Sequence, residues 1–244
     1  MSKPNRFAGL TKFGRNLGRC ESGLALTEFA FSLPILLILG LSGIETANFA
    51  MAHLRVSNIA VMAADGAARV RDSIDEADVT ELLTGAKMTG DGIEFAQNGR
   101  IILSTIEPTP TGGLQWIRWQ RCMGALNYTN PNNATRPLTA EGTVIANGTE
   151  IYRADRSTPS SAPSSPDSAT LAAVGSGSTT IAAQPGTAVM YVEVVYQYQP
   201  IVPNSFLAGR RITYRSAFNV RQRVDQTLRN VGRITPRSCD TFQA

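Results

Sequence analysis

The sequence predicts an α+β protein in which one long N-terminal helix, transmembrane and then amphipathic, packs on an antiparallel sheet. Three observations predict it. An apolar run, LALTEFAFSLPILLILGLSG, occupies Leu24 to Gly43. Helical spacing of apolar residues continues beyond it to about Arg71. Farther along lie four stretches rich in β-branched and aromatic residues, each bounded by turn formers or charge. The apolar fraction of 43% and charged fraction of 17% belong to a globular chain rather than a disordered one.

At helical rise the run reaches about 30 Å, one hydrocarbon thickness. Phe29 to Ile44 contains no charge, so the run lacks the polar face of an ordinary core helix. Lys3, Arg6, Lys12, Arg15 and Arg19 precede it with Glu21 alone opposing them, and they account for the whole formal charge of +4. The positive-inside rule then places the N-terminus in the cytoplasm and exports the bulk of the chain. A cleaved signal peptide fits poorly, because the hydrophobic stretch is long and the helix does not stop after it. Ile44, Phe49, Met51, Leu54, Ile59, Met62 and Val70 recur at helical spacing, and no Pro or Gly interrupts Glu45 to Asp65. A helix from Leu24 to Arg71 would be about 70 Å long, half of it in lipid and half against the exported domain. The chain thus divides into a basic leader, 1–23, a helix, 24–71, and an exported α+β domain, 72–244.

Within that domain, Asp65 to Glu107 is acid-rich and partly helical, with Val79 to Leu83 as one short helical turn. The expected strands are Arg100–Glu107, Leu114–Cys122, Ala188–Gln199 and Arg211–Arg223. In the last of these Ile212, Tyr214, Ser216, Phe218 and Val220 share one face. Residues 156–186 are dominated by Ser, Thr, Pro, Ala and Gly and read as a flexible exposed loop inside the domain.

The most informative local pattern joins the leader to the helix: Arg19-Cys20-Glu21-Ser22-Gly23-Leu24-Ala25-Leu26-Thr27-Glu28-Phe29. A carboxylate inside an apolar helix is costly, and such a group is a functional hypothesis that needs a named partner. Cleavage after Gly23 would create an α-amine on Leu24. Glu28 of one subunit could then pair with the Leu24 amine of its neighbour. The alternative is that Glu28 lies close enough to the interface to be solvated. Pro34 removes one backbone hydrogen bond and should kink the helix, with Ser32 and Thr27 as candidates to satisfy the freed carbonyl.

At these residues the sequence resembles the TadE-like proteins of the type IVb pilin and pseudopilin group, which serve tight-adherence (Flp) pilus systems. The shared pattern is Gly, four residues, Glu and an aromatic, then an apolar run with an early Pro. Here it reads Gly23-LALT-Glu28-Phe29, continuing Ala30-Phe31-Ser32-Leu33-Pro34. The resemblance covers about residues 19–65. It implies processing at Gly23–Leu24 by a membrane aspartyl prepilin peptidase and a minor pilin or pseudopilin role in pilus assembly. It also implies other pilins and the assembly platform as partners, with Glu28, Leu24 and Pro34 serving assembly. Leu24 stands where many major pilins carry Phe, so N-methylation of the new terminus is left open.

Cys20 belongs to the leader. Cys122 and Cys239 remain for an oxidising compartment, either joined, which is the expectation, or as two buried free thiols. TadE-like proteins carry a similar pair.

Enzymatic function is not expected. The single histidine, His53, lies on the helix, and no Gly-x-Ser-x-Gly, His-Glu-x-x-His, Walker loop or CxxC occurs. No metal or other cofactor is implied. Over the last stretch, Arg210, Arg211, Arg215, Arg221, Arg223, Arg229, Arg233 and Arg237 face only Asp225 and Asp240. A phosphate-binding surface is one reading. The expected one is that this end meets the acidic Asp65–Glu107 segment, so nucleic acid is an unlikely partner. The expected location is a bacterial inner membrane, single-pass, with the domain periplasmic, or extracellular once in a pilus. The competing function is an uncleaved, membrane-tethered periplasmic binding protein.

Overall fold

The computed structural model describes residues 21–108, 115–126, 129–130, 133–137, 144–146, 149–151, 170–171, 174–176, 179–239 and 241–243. Two compact units divide at the Asn48–Phe49 peptide. Helix α1, Glu21–Arg69, is continuous and contributes its first part to one unit and its second to the other. It stops two residues before the expected end at Arg71.

In the second unit, α2 (Glu76–Thr89) and α3 (Phe95–Asn98) precede the strands β2 (Gly99–Pro108) and β3 (Gln115–Met123). The sheet is completed by β11 (Val189–Gln197), β12 (Arg211–Asn219) and a two-residue β8 (Thr170–Leu171), in the order β12-β11-β2-β3-β8. Every pairing in it is antiparallel. A parallel two-residue pair joins β1 (Ile74–Asp75) to β13 (Leu228–Arg229). Short strands β4 (Thr129–Asn130) and β5 (Asn133–Pro137) pair with each other. A small second sheet, β10-β9-β6-β7, comprises β6 (Val144–Ala146), β7 (Thr149–Ile151), β9 (Val174–Ser176) and β10 (Thr179–Ile181). The expected loop 156–186 therefore contains β8, β9 and β10. Its residues 156–169, 172–173 and 177–178 lie outside the described residues.

The core forms where α1 meets the sheet. Ala52, Val56, Ile59, Ala60, Ala63, Ala64, Ala67 and Ala68 are buried at helical spacing. Six of these eight are alanines, so the helix axis can lie close to the strands. Against this stripe pack Ile101 and Leu103 of β2, Trp119 of β3, Met190, Val192 and Val194 of β11, and Ile212 of β12. Period-two alternation sends Tyr191 and Val189 to the opposite face, into a separate cluster with Ile106 and Ile117. Strand β11 is buried on both faces, which is why it reads as a near-continuous apolar run.

The β11–β12 hairpin lies along the domain half of α1. At one end Val220 N–H donates to Ala188 and Arg221 N–H to Ala68, near the end of the helix. At the other end Tyr198 N–H donates to Arg210, and the Tyr198 ring meets Phe49 edge-on at 4.9 Å between centroids.

The acid-rich segment is more helical than its sequence suggested. The single turn expected at Val79–Leu83 is the centre of the fourteen-residue α2. Asp75 caps it: its carboxylate accepts from Ala77 N–H, while Asp78 accepts from the Asp75 N–H, both at 2.9 Å.

Candidate membrane-anchor and assembly site

From Gly23 to Leu41 every residue of α1 is exposed, including the apolar Leu24 (64%), Phe29 (58%) and Phe31 (80%). The helix from Gly23 is long and apolar enough to cross a membrane. Gly23 and Leu24 lie in the opening turn of α1, with open space where a Gly23 side chain would stand.

Glu28 lies one turn beyond Leu24, exposed on this apolar surface. Among the described residues no hydrogen bond or ion pair holds its carboxylate. Phe29 and Pro34 are exposed on the same stretch. The hydroxyls expected to rescue the carbonyl freed by Pro34 do not do so. Thr27 Oγ1 donates to the Leu24 carbonyl at 2.8 Å and Ser32 Oγ to that of Phe29 at 3.1 Å. The freed acceptor is four residues before Pro34, on Ala30. A hydroxyl has one proton to donate, and both are already committed.

In the second unit the structure brings Cys122 and Cys239 together as a disulfide, Cα atoms 4.8 Å apart across 117 residues of sequence. The bond is one part of a larger clasp. Cys122 N–H donates to Arg237 and Gly124 N–H to Gln243, so the chain around Cys239 runs against the end of β3. Arg100, fully buried at the start of β2, reaches into this segment. Its guanidinium donates to the carbonyls of Gly124 at 2.6 Å, Thr241 at 2.7 Å and Cys239 at 2.9 Å, and lies 4.6 Å from the Phe242 ring centroid.

The C-terminal arginines are largely occupied. Arg221 pairs with Asp65 at 3.2 Å, as the expected contact with the acidic segment requires. Arg223 donates to the carbonyls of Ala67 and Val70, and with the Arg221 N–H it covers the end of α1, where the helix dipole is negative. Burial lowers the Arg223 pKa to about 10, still cationic at neutral pH. Arg215 pairs with buried Glu193, and Arg229 with Asp225. Burial also raises the Glu107 carboxyl above its ordinary range, against the pull of Arg118, which donates to it at 2.9 Å. His53 is packed between the Phe49 and Tyr214 rings, its Nδ1 3.2 Å from the Tyr214 hydroxyl.

Sequence patterning did not point to the buried charges Arg100, Arg121 and Glu76. Arg100 opens one expected strand and Arg121 stands beside Gln120 and close to Arg118 in another, so neither looked out of place.

Comparison of the chain with protein-family models, curated proteins and solved structures finds no match.

Proposed function

We propose that the chain is a TadE-like minor pilin or pseudopilin, processed at Gly23–Leu24 and built into a pilus assembly through α1. One observation carries the proposal. A single helix presents a bare apolar surface around Gly23-x4-Glu28-Phe29, while its later alanine stripe is buried against the sheet of the second unit. A subunit made this way is anchored in the bilayer before assembly and offers the same helix to neighbours afterwards. The Cys122–Cys239 bond supports export, since disulfides persist in oxidising compartments. Glu28 supplies a charge that a neighbour's new α-amine would match.

Intact-mass measurement of the protein from cells with and without the prepilin peptidase tests this. The expected mature chain begins at Leu24 only when the peptidase is present. An N-terminus at Met1 in both strains, or cleavage elsewhere, overturns the proposal.

A further inference from the structure

We infer that the β11–β12 loop, residues 198–210, is a second membrane contact, which rests an apolar tip and flanking arginines on the bilayer that α1 crosses. The inference depends on the anchored reading above and adds to it a lipid-binding surface on the domain.

Position comes first. The loop hangs from the Tyr198–Arg210 hydrogen bond, at the hairpin end where Tyr198 packs on Phe49. The opposite hairpin end lies at Ala68. Phe49 is five residues past Ile44, the last residue of the charge-free apolar stretch. The loop is therefore at the end of the domain where the chain arrives from its apolar run.

Chemistry comes second. Ile201 is 59% exposed and Phe206 63% exposed, with the exposed Pro203 between them. Two large apolar side chains on one loop are a poor fit to water and a good fit to an interface. They are not exposed because the loop lacks order. Ser205 N–H donates to Val202, Ala208 N–H to Ser205 and Arg210 N–H to Leu207, while the Leu207 side chain turns inward onto the core. Asn204 and Gly209 take the positive φ values that these turns need, 58° and 75°. The loop thus buries Leu207 and holds Phe206 outward.

Charge comes third. Arg210 and Arg211 are exposed at the base of the loop, and no acidic residue lies between Glu193 and Asp225. Such a surface matches anionic headgroups above an apolar layer. A protein partner would need an acidic rim around an apolar socket. A bilayer supplies both with no further component, at the place where the chain already meets it.

The test uses the full chain in vesicles of phosphatidylcholine and phosphatidylglycerol in equal parts, with Phe206→Trp as the probe and Val224→Trp as the comparison. Val224 is 94% exposed, and the native Trp116 and Trp119 are buried and give a constant background. Flotation with the vesicles reports the anchor itself, and failure to float overturns both the anchor and this inference. In chains that float, the position-206 probe should emit to the blue of the position-224 probe and lose intensity when brominated lipid is included. Arg210→Glu with Arg211→Glu should reduce both effects in these vesicles but not in phosphatidylcholine alone. A position-206 probe that emits like the one at 224 and ignores brominated lipid, in chains that float, overturns the inference alone. That result would leave the loop as a surface for another protein.

Discussion

Arg121 and Glu76 face each other as a buried ion pair, the Arg121 Nε donating to both carboxylate oxygens at 3.0 and 2.9 Å. The two side chains are 0% and 3% exposed. The pair joins the first turn of α2 to the end of β3. Removing one partner strands a charge without water, at about 3–5 kcal/mol. Glu76→Gln should therefore lower stability strongly. Glu76→Leu combined with Arg121→Met should recover most of the loss. Denaturant unfolding of the three chains in detergent decides it; equal destabilisation by the single and double changes contradicts the account.

The disulfide closes a long loop, its cysteines 117 positions apart in sequence. In the chain-entropy model such a closure is worth about 5 kcal/mol, and measured losses run about 2–5 kcal/mol. Cys122→Ser should lower stability within that range and raise protease sensitivity near residue 239. Non-reducing peptide mapping of the exported wild-type chain should recover one Cys122–Cys239 peptide.

Acid should reveal Asp225. Its carboxyl is held at about 2, chiefly by the Thr227 backbone N–H and then by the Thr227 side chain and Arg229. A depressed carboxyl pKa means the folded state prefers the charged form. The contribution is present above the ordinary aspartate value of 3.8 and is lost as pH falls through about 2. An NMR titration should place Asp225 near 2 in the wild type. In Arg229→Gln it should rise only slightly, because the backbone donor remains.

Glu28 stands on the bare half of α1, and its replacement separates insertion from assembly. Glu28→Gln keeps the side-chain size and removes the charge. If the chain is the pilin proposed above, a lone inserted subunit loses nothing by this, whereas an assembled one loses the partner of a neighbour's amine. Expression, insertion and processing should be near normal, while the protein disappears from sheared pili and from complexes with other pilins. Unchanged recovery in both fractions would mean that the carboxylate is simply solvated.

Much of this fold can be read from residue order. Alternation in β12 placed Ile212, Tyr214, Phe218 and Val220 on one face, and all four pack on the helix side of the sheet. The helix could be followed past the apolar run because no helix breaker stood in its path. Gly66, inside its last turns, is where Leu82 approaches; a Cβ there would come within 2.7 Å of Leu82 Cδ1. Strand order was not legible, because period-two patterning gives a face but not a neighbour. The length of α2 was missed because its cap uses Asp78 where the usual box has Glu or Gln. The charged pairs were missed for a related reason. Arg121 stands in a strand that also carries Arg118 and Gln120, and its partner is 45 positions away on another element.

Arg100 sets the order in which this domain can finish folding. Its side chain is buried, yet two of its acceptors, on Cys239 and Thr241, lie 139 and 141 residues downstream. While a chain is being made or threaded across a membrane, β2 is available long before those carbonyls arrive. Until they do, docking β2 fully would bury a guanidinium that lacks them, at substantial cost. The sheet must therefore stay loosely closed through most of chain synthesis and tighten only when the segment around Cys239 arrives. The same arrival brings the second thiol to Cys122, so covalent locking and charge satisfaction fall in one late step.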